Sequence, residues 1–123
     1  MDGYPLDGQV LLVAAAKASV PPDQLPGLVD LVQEDLRSRV DDYRAEYECV
    51  HETDEYVVFF VESGHWAGIG RRLGFDRQSY EAVRRAHEEQ LYRVGSQTGR
   101  REEFDAALEI RECVFIGTRG AGE

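Results

Sequence analysis

Apolar residues recur at helical intervals of three and four over much of the chain. Residues 5–19 form an alanine-rich run that predicts a first helix. Residues 23–40 carry a longer apolar stripe opposite an acidic face, which predicts a second helix. Residues 100–112 predict a final helix, and the glycine-bounded residues 95–99 predict a loop before it. The apolar stripe of the second helix comprises Leu25, Leu28, Val29, Val32, Leu36 and Val40.

A β-hairpin is predicted after the second helix. Residues 56–61, Tyr-Val-Val-Phe-Phe-Val, are the most β-prone run in the chain, and residues 46–51 are their expected antiparallel partner. The alternative is a second helix that continues through Tyr43 and Tyr47 to Val50. Residues 113–117 fit either an extension of the final helix or a third strand, and the sequence does not choose between them. Residues 118–123 predict a polar, frayed tail.

Residues 66–85, WAGIGRRLGFDRQSYEAVRR, predict two helices joined by a tight turn. Ile69 and Leu73 lie one helical turn apart and share a face, and Gly74 can adopt the left-handed conformation that ends a helix. Asp76 is a favourable N-cap for the second helix, which the apolar spacing extends to about residue 94. The small Gly70 would let the two helices approach each other closely.

This helix pair resembles the helix-turn-helix of DNA-binding proteins, whose second helix enters the major groove. The resemblance implies that Arg77, Gln78, Glu81 and Arg85 face the groove, with arginine reading guanine, Gln78 adenine and Glu81 cytosine. It also implies that Arg71 and Arg72, on the preceding helix, hold phosphates. The competing interpretation is a helical corner packed on a core, without any role in DNA binding.

These elements predict a single, mostly helical α+β domain over residues 1–123. It comprises two N-terminal helices, a β-hairpin, the helix-turn-helix-like pair and a C-terminal helix. The sequence contains no run of about 20 apolar residues, so we expect no membrane-spanning segment.

Charge is the strongest signal in the composition. The chain has 24 acidic and 14 basic residues and a formal net charge of −10, and Lys17 is its one lysine. In ordinary salt this acidity argues against nucleic-acid binding, but in molar salt the phosphate attraction is largely lost anyway and net charge discriminates poorly. Between residues 69 and 94, six arginines stand against four acidic residues, so this segment has a local excess of positive charge.

An acid excess combined with arginine in place of lysine resembles the proteins of haloarchaea, where molar cations screen self-repulsion. The sequence is also similar to a family of small, acidic, uncharacterised haloarchaeal proteins, especially over GHWAGIGRRLGF, VRRAHEEQL and ALEIRE. The resemblance implies a protein adapted to high salt, and it brings no established activity. Cys49 and Cys113 make no recognisable disulfide framework, so we expect a reduced, cytoplasmic protein.

The sequence offers little catalytic chemistry. It contains no phosphate-binding loop, nucleophile elbow or paired-cysteine metal motif, so we predict neither an enzyme nor a cofactor. Cys49 and His51 would project from one face of a strand, with His65 nearby, but a buried cysteine and two edge histidines explain these residues without metal. His87 falls on the inner stripe of its helix and is expected to be a core histidine.

The leading functional hypothesis is therefore a small, dimeric DNA-binding regulator. The alternative is a non-enzymatic interaction or assembly domain, in which the long acidic helix or the hairpin edge joins protomers or binds another protein.

Overall fold

The computed structural model describes residues 6–118 and has a mostly helical α+β fold, as the sequence predicts. Pro5 of the predicted first helix and residues 119–123 of the predicted tail lie outside the described residues. The helices are α1 (Gly8–Ala18), α2 (Leu25–Arg37), α3 (Val40–Glu46), α4 (His65–Leu73), α5 (Arg77–Thr98) and α6 (Arg101–Leu108). The strands are β1 (Glu48–Glu52), β2 (Tyr56–Glu62) and β3 (Arg111–Gly117).

The strands form one antiparallel sheet in the order β1-β2-β3. The predicted hairpin is therefore confirmed, and the open question at residues 113–117 is resolved as a third strand. Both faces of β2 are covered, because Phe60 packs edge-on against Phe104 of α6 while Phe59 packs against Tyr43 of α3. Successive side chains of a strand point to opposite faces, so helices lie on both sides of the sheet.

Side chains of α2 and α5, together with Trp66 of α4, occupy the edge of β3 that faces away from β2. The buried Gln33 of α2 donates to the Phe115 carbonyl oxygen at 2.6 Å and accepts from the Gly117 amide at 2.9 Å. His87 of α5 accepts the Phe115 amide proton at Nδ1, 2.9 Å away. Buried backbone groups need partners, and these two side chains supply the bonds that a fourth strand would otherwise make.

A carboxylate from β3 starts α4. Glu112 accepts the backbone amides of Gly64 and Trp66 at 3.1 and 2.8 Å, where the first turn of α4 leaves its N–H groups without helical partners. The Trp66 indole then donates to the Cys113 carbonyl oxygen at 2.9 Å. The helix begins at His65, one residue before the start of the predicted helix pair, and directly follows Gly64, which has a φ of 91°.

The long helix α5 is the centre of the molecule, because α1, α2, α4, α6 and β3 all pack against it. Its inner side is made of small and apolar residues together with His87. These buried residues are Ala82, Val83, Ala86, His87, Leu91, Val94 and Gly95. Neighbouring elements therefore flank the outward side of α5, and the helix does not project freely from the molecule.

The predicted loop at residues 95–99 is wrong, because α5 continues through it to Thr98. Gly95 does not break the helix but lies where α5 and α6 come close together. A Cβ atom at this position would lie 3.1 Å from the Phe104 ring, so glycine is what allows α6 to pack there. The helix ends instead at Gly99, which has a φ of 73°.

Two other predicted boundaries are also wrong. The second helix stops at Arg37 and α3 starts at Val40, because the Ser38 hydroxyl donates to the Asp35 carbonyl oxygen and competes with helix continuation. The final helix does not reach residue 112. It ends at Leu108, since Arg111 already pairs with Glu62 in the sheet.

Candidate nucleic-acid interface

The turn between α4 and α5 forms as its sequence predicts. Gly74 has a φ of 74°, and the Phe75 amide reaches back to the Gly70 carbonyl oxygen at 2.8 Å, which closes α4. The Asp76 carboxylate then accepts the Ser79 amide at 2.8 Å and caps α5. This backbone hydrogen bond lowers the pKa of Asp76, so the cap stays ionised at neutral pH.

Close contact between α4 and α5 depends on Gly70. A Cβ atom on this residue would lie 2.3 Å from the Tyr80 ring, a separation that no side chain tolerates. The expectation that Gly70 allows the helices to approach is therefore confirmed. The corner consequently holds the first turn of α5 at a fixed position beside α4.

Four of the predicted DNA-contacting residues line one open depression of about 380 Å³, which we call the α5 depression. It lies between the N-terminal half of α5 and the end of α1. Its lining consists of Lys17, Ala18, Arg77, Gln78, Glu81, Arg84 and Arg85. Four cationic side chains thus stand against one carboxylate, in a chain whose formal net charge is −10.

The cationic groups of the α5 depression differ in how strongly they are neutralised. Arg84 bridges Glu81 and Glu88 at 2.5 Å each. Burial opposes the charge on Arg84, but Glu88 and Glu81 outweigh it and raise the arginine pKa. Within residues 6–118, by contrast, Arg77 and Arg85 form no ion pair or side-chain hydrogen bond. Their guanidinium groups are the ones available to an anion.

Gln78 is committed to the protein itself. Its amide nitrogen donates to the Ser19 and Ala18 carbonyl oxygens at 2.7 and 3.3 Å. Those carbonyls end α1, where a helix leaves its last acceptors unpaired. Gln78 therefore acts as a side-chain cap for α1, and its donors are not free to read an adenine.

The two arginines predicted to hold phosphates from α4 lie outside the α5 depression. Arg72 forms a bidentate ion pair with Asp35 of α2, which also accepts from Arg39 at 3.2 Å. Burial tends to raise the pKa of Asp35, but the hydrogen bonds from Arg72 and Arg39 outweigh it and lower the pKa. Arg71 is exposed and forms no ion pair within the described chain. Arg72 thus joins α4 to α2, and Arg71 remains free.

The expectation that Cys49 and His51 project from one face of a strand is wrong. A register shift in β1 places Cys49 opposite Phe59 and His51 opposite Val58, so the two point to opposite faces of the sheet. Over residues 6–118, no group of three or more His, Cys, Asp or Glu side chains is arranged to hold a metal ion.

His65 belongs instead to a polar chain that the sequence did not reveal. Its Nδ1 lies 3.0 Å from a Glu62 oxygen and its Nε2 lies 2.5 Å from the Tyr43 hydroxyl. Both ring nitrogens are therefore occupied, and burial raises the pKa of Tyr43. This arrangement ties α3 to β2 and α4.

Sequence reasoning missed the contributions of Lys17 and Arg84 to the α5 depression. Lys17 lies at the end of α1 and reaches Glu89 of α5 at 2.6 Å, a contact between residues 72 positions apart. No local pattern encodes this pairing. The available signal was limited to a single lysine in the last turn of a helix, where a cation is favourable.

Comparison with known proteins identifies a family for almost the entire chain. The sequence pattern described as "Domain of unknown function (DUF8048)" matches residues 4–118. The chain belongs to the DUF8048 family. No curated protein and no solved structure matches it. The description of DUF8048 assigns no activity, so the function has to be argued from the residues. Over residues 6–118, this DUF8048 chain has no helix with the length and apolarity needed to cross a bilayer.

Proposed function

We propose that this DUF8048 protein binds double-stranded DNA through the α5 depression and acts as a small regulator. The observation that carries the proposal is the pair Arg77 and Arg85, which form no ion pair within residues 6–118. They lie with Lys17 and Arg84 around a depression that contains a single carboxylate. Lys17 and Arg84 pair with glutamates, so Arg77 and Arg85 supply the unpaired positive charge that phosphate binding requires.

The α4–α5 corner supports a helix-turn-helix-like arrangement in this proposal. Gly74 sets the turn and Gly70 the close packing, so the first turn of α5 is held rigidly against α4. Asp76 caps the helix whose outward side carries Arg77 and Arg85. Side chains held on a rigid scaffold lose less conformational entropy on binding, which favours their contact with DNA.

We also propose that the protein works in the cytoplasm of a salt-accumulating archaeon. A formal net charge of −10 with a single lysine supports this setting. At about 1 M salt the Debye length falls to about 3 Å, which removes most of the repulsion between the carboxylates of the protein and DNA phosphates. Short-range arginine–phosphate contacts then decide whether binding occurs.

The test is a fluorescence-anisotropy titration of labelled duplex DNA between about 0.2 and 2 M KCl. We expect Arg77→Ala combined with Arg85→Ala to weaken binding by about tenfold or more. The matched control is Arg44→Ala combined with Arg111→Ala. It removes the same charge from two exposed arginines that pair with Glu52 and Glu48 away from α5. Equal loss in both double variants, or no binding by the unsubstituted protein, would overturn the proposal.

A second candidate function is assembly, and the outward face of α1 favours it. This face exposes Leu12 by 57% and Val13 by 42%, with Gln9 and Ala16 beside them, so it carries no charge. An exposed apolar face of this kind often marks a contact with another protein, and a second copy of the chain would bury it. We propose a homodimer through this face as the alternative role.

Light scattering coupled to size-exclusion chromatography tests the assembly proposal. Leu12→Gln should convert a dimer to a monomer. The equally exposed Leu31→Gln, on α2, is the matched control and should leave the mass unchanged. A monomeric mass for the unsubstituted protein across the salt range would remove this alternative.

A further inference from the structure

A second depression continues the α5 depression along the same helix. We call it the C-terminal depression. It is lined by Lys17, Glu89, Tyr92, Arg93, Ser96, Gln97 and Arg101. Lys17 borders both depressions, so they form one surface between α1, α5 and the start of α6. Arg77 and Arg93 are about 24 Å apart along α5 at 1.5 Å per residue.

Cations dominate the lining of this combined surface. Lys17, Arg77, Arg84, Arg85, Arg93 and Arg101 stand against Glu81 and Glu89. Ion-pair partners just outside the lining reduce the excess to six cations against five carboxylates. Arg84 also pairs with Glu88 at 2.5 Å. Arg93 contacts Asp7 and Arg101 contacts Asp105 at 3.3 Å each. These two pairs are exposed and long, so an incoming phosphate can compete for both arginines.

The groups that could distinguish bases are already occupied on this surface. Gln78 donates to the end of α1, and Glu81 accepts from Arg84 at 2.7 Å. The remaining donors on this surface are guanidinium groups, of which Arg77 and Arg85 form no ion pair within residues 6–118 and Arg93 and Arg101 form exposed ones. A surface that α1 flanks can lie along a phosphate backbone, whereas reading base edges requires a helix that enters the groove.

From these observations we infer that one phosphate backbone of DNA lies along the combined surface of the two depressions, between α1, α5 and the start of α6. Its phosphates contact Arg77 and Arg85 in the α5 depression and Arg93 and Arg101 in the C-terminal depression. Binding is therefore independent of base sequence. The inference rests on the proposed DNA binding, and it extends the contact surface along the about 24 Å of α5 between Arg77 and Arg93.

The experiment compares double variants in the same anisotropy titration, each at several KCl concentrations. Arg93→Ala with Arg101→Ala should weaken binding by about tenfold and reduce the salt slope by about 1 to 2, because each lost phosphate contact reduces it by about 1.

The control Arg44→Ala with Arg111→Ala is closely matched. Its side chains are 42% and 44% exposed, against 40% and 56% for Arg93 and Arg101, and all four pair with carboxylates. Shuffling the base sequence at constant composition should change the affinity less than about threefold.

The outcomes separate this inference from the proposed function. Binding that depends on Arg77 and Arg85 but not on Arg93 and Arg101 overturns the extended footprint and leaves DNA binding intact. A shuffled sequence that binds more than about tenfold more weakly overturns backbone-only contact, since mismatched bases cost that much in direct readout. If the unsubstituted protein does not bind DNA, both fail. Circular dichroism checks folding, and Arg93→Gln with Arg101→Gln replaces the alanine pair if that pair unfolds.

Discussion

Protonation of His87 should be a main cause of acid unfolding. Its imidazole is fully buried in the centre of the core, 4.6 Å between ring centroids from Trp66. Because Nδ1 accepts the Phe115 amide, the single ring proton lies on Nε2, which has no hydrogen-bond partner among residues 6–118. Burial lowers the His87 pKa from 6.5 to about 3. A second proton would place an unpaired charge in an apolar interior.

The size of the effect follows from this pKa. The unfolded chain binds the proton below pH 6.5, whereas the folded chain binds it only below about pH 3. The stabilisation is therefore complete above pH 6.5 and is lost as the pH falls towards 3. At about 1.4 kcal/mol per pH unit, the total loss is about 5 kcal/mol, and about 2.7 kcal/mol is already lost by pH 4.5. This loss is a large fraction of the stability of a small domain.

Urea unfolding of the wild type and of His87→Leu, at pH values from about 7.5 to 4.5, isolates the contribution. Leucine leaves the Phe115 amide unpaired, but that cost does not depend on pH. Carboxylate titrations cancel in the difference between the two proteins. We expect the stability advantage of the wild type to shrink by about 1.4 kcal/mol per pH unit below 6.5. If the unfolding free energies of the two proteins change with pH in parallel, His87 is not held in its neutral form by burial.

Three further outcomes are expected. Gly70→Ala should cost about 1–3 kcal/mol of unfolding free energy through overlap with the Tyr80 ring. In a double-mutant cycle, Tyr80→Ala should lower the unfolding free energy less in the Gly70→Ala protein than in the wild type. Equal losses in the two proteins would contradict the contact between Gly70 and the Tyr80 ring. Gln33→Leu should lower the unfolding free energy measured in urea by about 2–4 kcal/mol, because the Phe115 carbonyl and the Gly117 amide lose their partners. An unchanged unfolding free energy would show that Gln33 does not satisfy the edge of β3. The melting temperature should rise between about 0.1 and 2 M KCl as carboxylate repulsion is screened, and a flat salt profile would exclude the halophilic interpretation.

The features that the sequence predicted are those encoded by near neighbours. The Gly74 turn and the Asp76 cap each depend on contacts within five residues, and the hairpin on two adjacent segments. The family resemblance and the α+β class follow from such local patterns. Arg77 and Arg85 could be placed on one side of α5 because their helical spacing alone determines it.

Features that depend on distant contacts could not be predicted. Gln78 looks available in the sequence, and the end of α1, 59 residues away, occupies it in the fold. Gly95 reads as a loop signal because the sequence does not show that Phe104 packs against it. Gln33 left a faint signal, a polar residue beside Val32 in an apolar stripe, but its partners on β3 lie more than 80 positions away.

The closed outer edge of β3 has a consequence for behaviour at high protein concentration. This strand carries Cys113-Val-Phe-Ile116, buried throughout, and such an apolar run with free backbone groups is a template for fibril-like stacking. Concentrated salt favours contact between apolar surfaces, which adds to this hazard. Gln33, His87 and Trp66 occupy the hydrogen-bonding groups that a foreign strand would need. Three side chains from three separate helices thus close this edge of the sheet to pairing with another chain.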